Sequence, residues 1–211
     1  MIKKRHNTVA IVVVLLFGFG VFYFGTDGFQ AFTAETARTN KLIEEKPQFP
    51  NVTFEDSKER VYTFDEFENK YVFITFLYTA CTDVCPQLEM NMHEVYQRLP
   101  VEAIGEDIVF LSISFDPEQD DPRTLEKYRG FFGSDGDTWR MARIPDQAEL
   151  DRLLDEFGVI VIPEENGIFT HNSAFYLVNR EGQLEEVMDY TKPEEAAAKV
   201  EQYLQDEAGD E

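Results

Sequence analysis

Hydrophobic and polar positions divide the chain into three regimes. Residues 9–25 form a run of 17 residues without a charged side chain. Residues 26–50 are polar and lack a regular period, which predicts an irregular tether. Beyond them, short apolar runs alternate with segments of helical spacing. Two short runs, 52–54 and 61–64, flank Glu55-Asp56-Ser57-Lys58 and predict a β-hairpin. Residues 64–67 predict one helical turn. Residues 71–78 and 108–115 are continuous apolar runs of strand length, the pattern of strands covered on both faces. Leu88, Met92, Val95 and Leu99 recur at helical spacing and predict a helix over 87–99 with that face inward. Asp121-Pro122 opens a second helix, with Thr124, Leu125, Tyr128 and Phe132 inward. Residues 139–144 predict a short strand, and 146–157 a third helix burying Leu150, Leu153, Leu154 and Phe157. Strands follow at 159–162 and 174–179. Asn179-Arg180-Glu181-Gly182 turns the chain into a pairing strand at 184–188, and a final helix covers 193–204.

This order predicts an α/β fold. Strand–helix alternation gives parallel pairing, and the terminal hairpin makes the central sheet mixed, with helices flanking it. The only two cysteines in 211 residues, Cys81 and Cys85, lie between the first buried strand and the helix that follows. A cysteine pair opening that helix is the thioredoxin arrangement. The partial positive charge of a helix N-terminus favours thiolate, the form that attacks disulfides and binds soft metals. If the segment is helical through the pair, the two Cα atoms lie about 6 Å apart. That spacing admits a disulfide or two sulfurs on one ion. A purely structural disulfide here closes a very short loop and stabilises little.

Charge narrows the partners. The formal net charge is −22, which argues against nucleic acid, since phosphate binding needs a basic face. Lys3, Lys4 and Arg5 precede the uncharged run and Asp27 follows it. The run spans roughly 25 Å, the lower limit for a membrane-crossing helix. The basic flank keeps the N-terminus cytoplasmic and exports the remainder. The predicted organisation is a cytoplasmic tail at 1–8, a transmembrane anchor at 9–25, a tether at 26–45, a folded domain at 46–205 and an acidic tail at 206–211. A signal peptide cleaved near Ala31, Thr33 and Ala34 is the competing reading, against which stand the long run and the poor site. Three of 19 basic residues and none of 41 acids precede the run, so the exported part carries 16 against 41, a net of −25.

Two sulfurs are too few for a closed zinc site. Of three histidines, His6 precedes the apolar run, and His93 lies about 12 Å along the helix from Cys85. His171 remains, in a loop just before a strand. Two thiolates with one imidazole suit Cu(I) in trigonal geometry, or Cu(II) with a further oxygen ligand. A redox dithiol, a structural disulfide and a metal site all stay open on spacing alone. Glu89 and His93 read as a solvent-facing i, i+4 pair. Met92 falls on the inward face and Met90 on the surface, and Asp116 reads as a turn or cap residue.

Three blocks resemble the Sco/SenC family in content, order and spacing. They are Tyr78-Thr79-Ala80-Cys81-Thr82-Asp83-Val84-Cys85-Pro86, Ser114-Phe115-Asp116-Pro117-Glu118-Gln119-Asp120-Asp121-Pro122, and the segment from Thr170-His171-Asn172-Ser173-Ala174 to Gly182. The resemblance covers about residues 46–205. It implies a thioredoxin-like fold and a membrane-tethered copper protein on the extracytoplasmic side. It implies copper, as Cu(I), Cu(II) or both, held by Cys81, Cys85 and His171, with Asp116 an acidic residue beside the site. The implied role is assembly of the CuA centre of cytochrome c oxidase subunit II, with a copper donor or thiol reductant as further partner. The implied protein is an assembly factor; a thiol–disulfide oxidoreductase using Cys81 and Cys85 is the alternative. Two departures stand out: Thr82 replaces a proline common after the first cysteine, and Asn172 interrupts an Asp-His-Ser pattern.

Overall fold

The computed structural model describes the backbone of residues 2–25, 33–164 and 168–208, and side chains over 10–25, 33–164 and 168–206. The side chains of Lys3, Lys4, Arg5 and His6, the candidate cleavage residue Ala31 and the rest of 26–32, Gly167, and residues 209–211 of the expected acidic tail lie outside the described residues. The chain divides into two units, Met1–Glu45 and Lys46–Glu211.

The first unit holds two helices, α1 (Ile2–Gly25) and α2 (Ala34–Glu45). Large apolar side chains of α1, among them Leu15, Leu16, Phe19, Phe22 and Phe24, are exposed around the helix. Among the described residues no helix is long and apolar enough to cross a membrane. The described side chains of α1 extend over roughly 24 Å at 1.5 Å per residue. The irregular tether expected here is corrected by α2. Its start is capped by the Thr33 hydroxyl, which accepts from the Thr36 amide at 3.0 Å, and Arg38 Nε pairs with Glu35 at 2.9 Å one turn along.

The second unit is built on a seven-stranded mixed sheet. Its strands are β1 (Thr53–Asp56), β2 (Val61–Thr63), β3 (Tyr71–Leu77), β4 (Ile108–Ser114), β5 (Trp139–Arg143), β8 (Phe175–Val178) and β9 (Leu184–Met188), in the order β2-β1-β5-β4-β3-β8-β9. β3 and β4 are parallel, in register from Tyr71 opposite Ile108 to Leu77 opposite Ser114. β8 runs antiparallel to β3, with Ile74 opposite Tyr176. Every residue of β3 and β4 is buried, which is why both read as unbroken apolar runs rather than alternating ones.

Alternate side chains face opposite layers. Phe73 packs on Phe110 and Phe175, ring centroids 5.1 and 4.9 Å apart, and Phe110 meets Tyr96 of α3 (Val84–Arg98). Phe76 points the other way, toward Phe157 at the end of α5 (Gln147–Glu156). α6 (Pro193–Ala208) packs beside α3. α4 (Pro122–Arg129) starts where expected, with the Asp121 carboxylate accepting from the Thr124 amide at 2.7 Å. The expected helical turn is a 3-10 turn at Phe64–Phe67.

Two differences from expectation bear on the site. α3 begins at Val84, so Cys81 lies in the loop before the helix and only Cys85 lies within it. The strand expected at 159–162 is β6 (Val161–Pro163), which pairs with β7 (Phe169–His171) in a separate two-stranded ribbon. The pattern did not predict β7.

Phe73→Ala removes the ring that joins β3, β4 and β8. It is expected to lower stability by about 3–5 kcal/mol, measured as the shift in equilibrium urea unfolding.

Candidate metal centre

Backbone pairing brings the predicted site residues to one edge of the sheet. β3 and β4 are parallel and end together, so the loops leaving Leu77 and Ser114 emerge side by side. β8 is antiparallel to β3, so the segment entering β8 arrives at that same edge. The first loop carries Cys81, the second begins with Phe115 and Asp116, and the entering segment carries His171. The carboxyl end of parallel strands is where α/β sheets form their crevices.

The loops are tied together by Asp120, which is fully buried. Its carboxylate accepts from the Thr79 amide at 3.0 Å, the Thr79 hydroxyl, and the Ser114 hydroxyl at 2.5 Å. The turn before it is closed by the Gln119 and Asp120 amides donating to the Asp116 carbonyl, at 3.2 and 3.0 Å. Asp120 falls within the second family block, where its sequence neighbours give no sign of this buried role. Asp116 is half-buried, and burial followed by the charge of Asp120 raises its carboxyl above the usual range.

Both cysteines are free and buried. Asp83 gives α3 no side-chain cap. Instead Cys81 Sγ accepts from the Cys85 amide at 3.3 Å, so a sulfur stands where a capping oxygen usually would. The thiolate expected at a helix N-terminus is not favoured at Cys85. Burial pushes that thiol well up, and the neighbouring Cys81 sulfur adds to the shift.

His171 Nε2 lies 3.6 Å from Cys85 Sγ. On the other side of the ring Nδ1 lies 3.1 Å from the Asn172 carbonyl. A carbonyl only accepts, so Nδ1 carries the proton and Nε2 turns its lone pair toward the sulfur. Asn172, which departs from the family pattern, anchors this segment. Its side chain accepts from the Ile160 amide at 2.7 Å and donates to the Gly158 carbonyl at 3.2 Å. The imidazole is edged by aromatic rings, Phe115 at 5.0 Å and Tyr78 at 6.3 Å between centroids, and Phe169 packs on both. Burial lowers its pKa, which favours the neutral, ligating form. No sequence pattern announced this aromatic cage.

One ligand atom each from Cys81, Cys85 and His171 lies within 4.8 Å of the other two. Two sulfurs and an imidazole nitrogen, largely screened from water, suit a soft ion and fall one donor short of a closed zinc site. His93 and Asp116 are not in this group.

A family profile described as SCO1/SenC matches residues 41–205. The chain belongs to the SCO1/SenC family. Among its relatives, this SCO1/SenC protein is 28% identical over 134 residues to the SCO1 protein homolog of Bacillus subtilis, covering 63% of this chain and 68% of the relative. Its fold superimposes on Bradyrhizobium japonicum ScoI, solved with copper bound, at a TM-score of 0.62. Identity is 27%, with 74% of this chain and 99% of that one covered. Yeast Sco1 with copper bound gives a TM-score of 0.63 at 20% identity, over 75% of this chain and 90% of the other, a likeness of fold. The SCO1/SenC domain is thus a thioredoxin-like α/β fold with a mixed central sheet and flanking helices.

Glu89 is corrected from surface to core. It is fully buried, not solvent-facing, while His93 lies half-buried with its ring 6.0 Å from Trp139. Positions 85, 88, 89 and 92 share the inward face, and that spacing was the signal available in the sequence.

The pKa directions set the pH response of the metal-free protein. A raised Cys85 pKa stabilises the fold below the free-thiol value near 8.5 and is lost as pH rises above it. A lowered His171 pKa stabilises the fold above about 6.5 and is lost as pH falls. Urea midpoints against pH are expected to lose part of their alkaline decline in Cys85→Ser and part of their acid decline in His171→Ala.

Proposed function

We propose that this SCO1/SenC protein binds copper through the thiolates of Cys81 and Cys85 and Nε2 of His171, and that it serves assembly of cytochrome c oxidase. The observation that carries this reading is the convergence of those three donors within 4.8 Å. Family membership and the copper named for Bradyrhizobium japonicum ScoI and yeast Sco1 support it. Copper is cargo here: it passes to an apoprotein by exchange of ligands, with subunit II and its CuA centre as the intended recipient. The protein is then a binding and assembly factor rather than a turnover enzyme. Asp116 stands beside the site and shapes the loop that carries Phe115, whose ring borders His171.

Uptake of the ion replaces thiol protons, which leave to solvent, so binding strengthens as pH rises. The uncharged run over 9–25 serves as a membrane anchor, with Lys3, Lys4 and Arg5 holding the N-terminus in the cytoplasm and the site outside. Residues 46–205 form the working domain on the extracytoplasmic side.

The proximity of the two sulfurs favours a second role for the same pair. Cys81 and Cys85 pass from two thiols to one disulfide while a target disulfide is reduced to two thiols. The oxidised pair cannot hold Cu(I), so the two roles exclude one another in time. A separate reductant then restores the dithiol.

Titration of the reduced protein with copper is expected to give tight one-to-one binding. Cys81→Ser, Cys85→Ser and His171→Ala should each weaken it by at least about 100-fold, the upper range for losing a mere supporting residue. Retention of tight binding by all three variants would remove the copper reading. A His171→Ala protein that still supports oxidase assembly would favour thiol exchange.

A further inference from the structure

The carboxyl of Glu89 is an unusual neighbour for such a site. It is fully buried, and it lies four residues after Cys85 on the same face of α3, where side chains one turn apart are neighbours with Cβ atoms about 5–6 Å apart. No basic side chain pairs with it among the described residues. Its partners are two hydroxyls: Thr75 donates to one carboxylate oxygen and Ser112 to the other, both at 2.8 Å. Trp139 Nε1 can only donate, and it donates to Ser112 Oγ at 3.0 Å. That takes one lone pair of the serine oxygen, and its proton faces Glu89 at 2.8 Å, with Met92 Sδ a longer contact at 3.5 Å. Both oxygens face donors, the arrangement that favours a carboxylate. Burial opposes it and lifts the carboxyl to about 7, with the two hydroxyls pulling it down. The buried hydroxyl of Tyr128 lacks a hydrogen-bond partner among the described residues, and burial, followed by the proximity of Glu89 and the two cysteines, raises its pKa. Glu89 and the sulfurs thus share one poorly solvated region.

We infer that the Glu89 carboxylate is a charge-tuning residue that biases the Cys81–Cys85–His171 site toward Cu(II) over Cu(I). The inference rests on the copper reading given above. With two thiolates, Cu(I) leaves a site of net charge −1 and Cu(II) a neutral one. A further buried anion is repelled by the first and tolerated by the second. At an effective dielectric near 20, one charge even about 10 Å from the ion shifts such an equilibrium roughly tenfold.

The test compares the full-length wild-type protein with Glu89→Gln, which keeps the shape and removes the charge. Cu(I) and Cu(II) affinities are measured separately, anaerobically, by competition with a chelator selective for each ion. The ratio of Cu(II) to Cu(I) affinity is expected to fall about tenfold, equivalent to a 59 mV rise in the one-electron midpoint potential. A purely structural role for Glu89 would move both affinities together. A ratio that falls less than threefold overturns the inference. Should Glu89→Gln fail to fold, Glu89→Leu is measured against the same threshold. A wild-type protein that binds neither ion would instead overturn the copper reading, and this inference with it.

Discussion

Backbone pairing of β3, parallel to β4 on one side and antiparallel to β8 on the other, decides where this site can form. A parallel partner ends where β3 ends; an antiparallel partner begins there. Two loops leave and one segment enters at a single edge, and a separation of 86 positions along the chain ceases to matter. The pairing is strong because both faces of β3 and β4 are covered, which excludes water from the ladder. A one-residue slip of β3 would turn Thr75 away from Glu89 and put Phe76 in its place. The buried polar contacts and the aromatic packing therefore reinforce one register.

Around that frame, the three donors are prepared to different degrees. Cys81 Sγ is already oriented, because the amide of Cys85 holds it at the helix N-terminus. The His171 ring is oriented by the Asn172 carbonyl and kept neutral by burial. Cys85 is positioned but protonated, since burial disfavours its thiolate. A soft cation at that sulfur would take the place of its proton.

Much of the fold was legible because doubly covered strands and inward helix faces leave simple patterns. Residues 71–78, 108–115 and the 88/92/95 face were read correctly, as was the Asp121 cap of α4. What escaped was structure held by specific partners rather than by periodicity. α2 has Leu42 as its only buried residue, so no apolar stripe marks it, and its Ala and Glu content was the weaker cue. β7 spans three residues and exists through pairing with β6. His171 was accessible by elimination among three histidines and by resemblance, but its distance from Cys85 was a property of topology. Asp120 and Glu89 were invisible for the same reason: a carboxylate written in sequence looks solvated until its hydroxyl partners on other strands are known.

Those two buried carboxylates show why the site is stiff. Each is satisfied by short neutral donors rather than by a cation: Asp120 by Thr79 and Ser114, Glu89 by Thr75 and Ser112. Thr75 and Ser112 stand opposite each other in the β3–β4 register, and Ser114 stands opposite Leu77, two residues before Thr79. The same ladder that aligns the loop ends therefore also places the donors for both carboxylates. Loosening it would leave two buried carboxyl groups without their donors, which is costly away from bulk solvent. The departures from the family pattern fall outside this network. Thr82 is exposed in the loop and Asn172 adds anchors to the ribbon, so neither alters a donor to the sulfurs or to the imidazole Nε2.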